Sequence, residues 1–83
     1  MARIVVTSLE EFLKAMRALA NPRTHVLVTD GYATVELVPR TTSRHRHYIK
    51  FLVDEEEEIS KILVEAEKQH YTIIKGSVQE VIA

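Results

Sequence analysis

The sequence predicts a two-layer α+β sandwich, in which two helices cover one face of a four- or five-stranded mixed sheet. Two features of the 83 residues carry this prediction. Two stretches repeat apolar residues at helical spacing, and the stretches around them are rich in β-branched residues, which favour strands. The element order is β-α-β-β-β-α-β, and the length is that of a single domain covering residues 1–83.

The first strand and the first helix occupy the N-terminal quarter of the chain. Residues 3–7 form a β-branched run, which is typical of a strand. Ser8 is expected to begin the helix, because its hydroxyl can accept from the backbone N–H of Glu11 while the Glu11 carboxylate reaches back. The helix should end at Asn21-Pro22, since proline cannot continue it. Its buried stripe is predicted to hold Leu9, Phe12, Leu13, Met16, Leu19 and Ala20.

A hairpin is predicted between strands at 24–29 and 32–38. Asp30-Gly31 lies between them and suits a type I′ turn, which needs positive φ at both turn positions. A two-residue loop would place Val28 opposite Ala33 and Val26 opposite Val35. The expected core face holds Val26, Val28, Ala33, Val35 and Leu37, and the other, mixed face holds His25, Leu27, Thr29, Tyr32, Thr34 and Glu36.

The C-terminal half adds a strand, a helix and a last strand. Residues 46–53 alternate, with Ile49, Phe51 and Val53 toward the core and Arg46, Tyr48, Lys50 and Leu52 on the opposite face. Asp54, with an acid three residues later, is expected to cap the second helix, whose stripe holds Ile59, Ile62, Leu63 and Ala66. Residues 71–75 are expected to form the last strand, which Gly76 either breaks or bulges, and 77–83 either continue the pairing or form a loose tail. This element order is similar to the ferredoxin-like arrangement with one extra strand.

Composition excludes several function classes. The absence of cysteine excludes a disulfide scaffold, a thiolate metal site and a thiol nucleophile. Only two glycines occur, so there is no glycine-rich phosphate loop, and no serine lies in a nucleophile elbow. We therefore expect a non-enzymatic protein without a cofactor. The longest apolar runs are too short to span a membrane, so the expected location is the cytoplasm, and the scarcity of Asn, Gln, Gly and Pro favours a thermophilic source.

Charge is distributed unevenly along the chain. Residues 1–50 carry eight Lys and Arg against four acids, a net charge of +4, whereas residues 51–83 carry three Lys against eight acids, a net charge of −5. The acidic run at 54–58 suits the first turn of the second helix, where carboxylates face the positive end of the helix dipole. Such an asymmetry is typical of an interaction surface, and it is more informative than the overall isoelectric point.

A basic segment, residues 39–50, contains four Arg and Lys and no acid. It predicts a non-catalytic RNA-binding or ribosome-associated module, since these cations neutralise phosphates and release counterions. The predicted phosphate contacts are Arg40, Arg44, Arg46 and Lys50, and hydrogen bonds or base stacking are expected from His45, His47 and Tyr48. Tyr32 and Leu52 are candidates for stacking or for an interface. His45 and His47 would point the same way on a strand, but no spacing specifies a third ligand, so no metal is predicted.

Other interpretations of the same residues stay open. The basic segment also suits an exposed, solvated loop. A protein–protein module is the main alternative, most simply a homodimer formed through the sheet face or an edge strand. Its candidate contacts are Leu27, Tyr32, Val38, Tyr48 and Leu52. A ligand-sensing regulatory domain is supported by fold analogy alone.

One resemblance bears on these alternatives. The strand RIVVTS, the helix SLEEFLKAMRAL and the segment VLVTDGYATVELV are together similar to small uncharacterised proteins of thermophilic archaea, some of which are accessory components of the ribosome. The resemblance implies RNA as a partner. It rests on size, composition and element order, and it transfers no functional residue.

Overall fold

Five strands form one mixed sheet and two helices complete the domain, which confirms the predicted α+β sandwich and its element order. The computed structural model describes residues 3–31, 33–40 and 47–76. Within them, no helix is long and apolar enough to cross a membrane. The elements are β1 (Arg3–Val6), α1 (Leu9–Ala18), β2 (His25–Asp30), β3 (Thr34–Pro39), β4 (Tyr48–Leu52), α2 (Glu56–Lys68) and β5 (Ile73–Lys75).

The sheet has the strand order β1-β4-β3-β2-β5. Strands β2, β3 and β4 form an antiparallel meander, and a parallel strand extends it on each side, β1 beside β4 and β5 beside β2. The connections β1-α1-β2 and β4-α2-β5 each pass over two strands. They lie over the same face, where α1 and α2 touch each other.

The main core lies between the helices and the sheet. One row of paired residues crosses all five strands there: Ile4, Ile49, Leu37, Leu27 and Ile73. Helix residues from both predicted stripes, including Phe12, Met16 and Ile62, fill the space above it and are fully buried. Each such side chain contributes about 1.5–3 kcal/mol by leaving water.

The predicted register of the hairpin is wrong. Three residues, 31–33, separate the paired strands instead of two, so Asp30 pairs with Thr34 and Val28 pairs with Glu36. Gly31, with φ of 60°, supplies the left-handed conformation that the loop requires. The change reverses which β2 residues share a face with Val35 and Leu37. Leu27 therefore lies in the helix-facing core, Val26 and Val28 lie on the opposite face, and Ala33 is exposed.

The helix starts follow local side-chain chemistry. The predicted Ser8 cap is confirmed, since its Oγ accepts from the Glu11 N–H at 3.4 Å. The second helix begins one residue later than predicted, with Glu55 at the N-cap. Glu58, at the third position of the helix, reaches back to the residues before it. Its Oε1 accepts from the N–H groups of Asp54 and Glu55 at 3.1 and 3.0 Å.

Two contacts join the end of α1 to distant parts of the chain, one to the segment between α2 and β5 and one to α2 itself. The Tyr71 hydroxyl, which is buried, donates to the Met16 carbonyl at 2.7 Å. Arg17 donates from Nε and Nη2 to Glu65 Oε1, with Nε at 2.9 Å.

Leu19 was predicted to join the buried stripe, but α1 ends at Ala18 and Leu19 is half exposed.

Candidate functional site

The sheet face opposite the helices, called the second face below, carries the other set of alternating residues. A row of paired residues crosses it: Val5, Lys50, Glu36, Val28 and Ile74. A carboxylate thus lies in the third of five positions, with a lysine as its direct cross-strand neighbour. Opposite charges in this arrangement stabilise a sheet modestly.

Glu36 is the buried acid of this face, with only 3% of its surface exposed. Burial raises the pKa of its carboxyl above the ordinary 4.5, and the positive charges of Arg3 and Lys50 partly oppose that rise. Arg3 Nη2 lies 3.4 Å from Glu36 Oε1. That oxygen accepts no hydrogen bond from any residue that the structure describes, so its one close partner is the guanidinium.

Arg3 also covers an aromatic ring. Its guanidinium carbon lies 5.8 Å from the centroid of the Tyr48 ring, within the range of a cation–π contact. The register explains the contact, because Arg3 is the direct parallel partner of Tyr48. Arg3, Tyr48 and Lys50, with Glu36 beside them, form a compact cluster that we call the β1–β4 patch. It carries two cations and one buried acid.

The predicted orientation of β4 is confirmed. Ile49 and Phe51 belong to the helix-facing core, whereas Tyr48 packs against the valines of the second face. Leu52, the interface candidate, is exposed on this same side by alternation. The basic segment thus ends in a strand that presents its polar residues away from the helices.

The centre of the second face is not an exposed platform. Val26, Val28 and Val38 form a second cluster whose members are almost fully buried. Exposure is instead found at the β1–β4 side, at Val5 and Leu52. A ligand of this face therefore has access to the β1–β4 patch rather than to the valines.

Arg40, predicted to bind phosphate, is tied to its own chain. Its Nε donates to the Pro22 carbonyl at 3.2 Å and its Nη2 donates to Thr72 Oγ1 at 2.9 Å. These bonds connect the end of β3 to the turn before β2 and to the residue before β5. A guanidinium has five N–H donors, so the exposed side chain keeps donors beyond these two.

His47 and the buried His25 hold the start of β4 in place. His25 Nε2 lies 2.9 Å from the His47 carbonyl oxygen. Since a carbonyl only accepts, Nε2 carries a proton, and Nδ1 lies 2.7 Å from Thr24 Oγ1. The His47 Nδ1 atom is itself buried and makes no hydrogen bond to a described residue. The carbonyl group of His47, held by His25, therefore fixes the backbone just before Tyr48.

Four of the predicted site residues, Tyr32, Arg44, His45 and Arg46, lie outside the described residues. Among those described, no three His, Asp or Glu side chains are grouped so that they could hold a metal ion.

Sequence reasoning did not assign two members of the patch, Arg3 and Glu36. Their signal was their alternation with core residues in β1 and β3. Alternation alone does not bring these two residues together, because that requires knowing that β1 pairs with β4. Searches against models of protein families, curated proteins and solved structures found no match to this chain.

Proposed function

We propose that this protein is a non-catalytic RNA-binding module. The β1–β4 patch contacts phosphate groups of the RNA, together with the arginines of the basic segment. The supporting observation is the meeting of Arg3, Tyr48 and Lys50 on one side of the sheet, at the strand that directly follows residues 41–46. Two of these residues come from the predicted basic segment, and Arg3 comes from β1, near the N-terminus.

The chemistry of the patch suits a phosphate. The Arg3 side chain is half exposed and has one carboxylate neighbour at 3.4 Å, so most of its donors remain for oxygen atoms of a ligand. With Glu36 ionised the patch carries a net charge of +1, and with Glu36 protonated it carries +2. Arg3 already covers the Tyr48 ring, so a base would stack on the guanidinium plane as readily as on the aromatic ring.

The proposal is tested by titrating the protein into a fluorescent structured RNA at low and at near-physiological salt. Arg3→Gln should weaken binding and reduce the slope of log K against log salt by roughly 1, because one phosphate contact is lost. Arg17→Gln is the matched control. Both arginines have similarly exposed side chains, 53% and 59%, and both face one glutamate, but Arg17 lies on the helix layer.

A second test variant and its control are Lys50→Gln, on the β1–β4 patch, and Lys61→Gln, on α2. Arg44→Ala and Arg46→Ala test the rest of the basic segment in the same assay. Equal affinities and slopes for Arg3→Gln and Arg17→Gln would refute a role for the patch. Absence of saturable binding at low salt by the unaltered protein would refute the RNA-binding function itself.

A further inference from the structure

The free side of β1 adjoins an apolar groove. Within the described residues β1 pairs only with β4, so every second residue of β1 directs its N–H and C=O away from the sheet. Beside this edge, residues of β1 and α1 line a shallow, open groove of about 380 Å³. Its lining is almost entirely carbon and consists of Ile4, Val6, Glu11, Lys14, Ala15, Ala18 and Leu19.

The two edges of the sheet differ in how they are protected. β5 is three residues long and ends at Lys75. Gly76 follows it with a positive φ of 149°, which departs from strand geometry. β1 has four residues in regular register and only Arg3, at its start, is charged. Its exposed side chains include Val5, and Leu19 is half exposed nearby. An unprotected, apolar strand edge invites pairing with another strand.

We propose that the occupant of this edge is a second copy of the chain, paired antiparallel through β1 about a two-fold axis. Such an axis, perpendicular to the sheet, keeps the helix layers of both copies on the same side. With Val5 on the axis, Val5 faces Val5 of the second copy and Ile4 faces Val6. Pairs of β-branched residues favour antiparallel strands, and Arg3 then faces Thr7 rather than a like charge.

The charges beside the groove are complementary to themselves. Glu11 and Lys14 lie one turn apart on α1, at the side of the groove. A two-fold axis makes the two α1 helices antiparallel, so Glu11 of each copy approaches Lys14 of the other. A partner of one charge sign would match only one of these residues, whereas a second copy matches both. The resulting ten-stranded sheet would also place both β1–β4 patches on one face.

The absence of native cysteine allows a direct test by cross-linking. Across antiparallel strands, directly opposed Cα atoms lie about 4.5–5.5 Å apart, which is within the Cα separations of about 4.4–6.8 Å that disulfides span. Val5→Cys should therefore form a disulfide-linked dimer under mild oxidation. Val64→Cys on α2 is the control, since Val5 and Val64 are equally exposed, at 53% and 54%. Cross-linking of both variants to the same extent would overturn the proposal.

Sedimentation of the unaltered protein and of charge variants gives an independent measurement. Because the edge is short, the interface is small and the dimer is weak. A dimer should therefore appear in sedimentation as the protein concentration is raised to about 200 µM. Glu11→Lys or Lys14→Glu alone should weaken it by roughly threefold, and the double variant should restore it. A monomer throughout that range, or a double variant weaker than either single one, would overturn the proposal. No RNA is present, so the result is independent of the RNA-binding function.

Discussion

Replacing Tyr71 by Phe removes a single oxygen atom from the contact that joins α1 to the chain before β5. The Tyr71 hydroxyl donates to the Met16 carbonyl at 2.7 Å, and both residues are buried. That carbonyl belongs to the last turn of α1, where carbonyl groups lack partners within the helix. The change leaves a buried acceptor without its donor, so the free energy of unfolding should fall by about 1–2 kcal/mol.

The effect is large for a chain of this size. A domain of 83 residues has an unfolding entropy that converts each kcal/mol into about 6 °C of midpoint. The variant should therefore melt about 6–12 °C lower, as measured by calorimetry and by urea unfolding at neutral pH. Tyr48→Phe is the matched control, because the Tyr48 hydroxyl makes no hydrogen bond to a described residue. Equal stability of Tyr71→Phe and the unaltered protein would refute the reasoning, as would an equal loss in the control.

The same residue makes a separate prediction at alkaline pH. Burial raises the pKa of Tyr71 to about 12, whereas an unfolded tyrosine ionises near 10. This contribution to stability is complete below pH 10 and is lost as the pH rises toward 12, by up to about 2–3 kcal/mol. The stability advantage over Tyr71→Phe should shrink across that interval. A constant difference would contradict the assigned burial.

Three further predictions concern other parts of the domain. Burial raises the pKa of Glu36, so the folded state keeps its proton to higher pH than the unfolded chain. The stability of the unaltered protein relative to Glu36→Gln should therefore fall as pH rises above about 4.5 in urea titrations, and a rise would show that the cations dominate. Leu27→Ala should cost about 2–5 kcal/mol and Val64→Ala less than about 0.5 kcal/mol by the same assay, and similar costs would contradict the observed register. The hydrogen bond from Arg17 lowers the pKa of Glu65, and Arg17→Ala should raise it in an NMR titration, whereas an unchanged value would exclude that cause.

Local chemistry is why the elements were predictable. The Ser8 cap, the stripe of α2 and the alternation of β4 each depend on residues that are close together in the sequence. The hairpin shows the limit of such reasoning. Asp30-Gly31 marks the position of the hairpin, but Asp30 belongs to β2 and the loop is 31–33. The residue opposite Val28 is therefore displaced by three positions, from Ala33 to Glu36, and an odd displacement reverses the faces. Because apolar residues occupy both faces of β2, alternation alone does not choose between the two registers.

The sequence by itself determined the element types, their order and the side of β4 that carries Tyr48 and Lys50, because these depend on periodicity and on contacts between near neighbours. Only the tertiary structure decided the register of the hairpin and which strands pair outside it. It brought Arg3 from the first strand onto Tyr48 and Glu36, tied Arg40 into its own chain and left β1 at the edge of the sheet. Strand pairing across such distances depends on which face the helices cover, and that is a property of the whole chain rather than of any one segment.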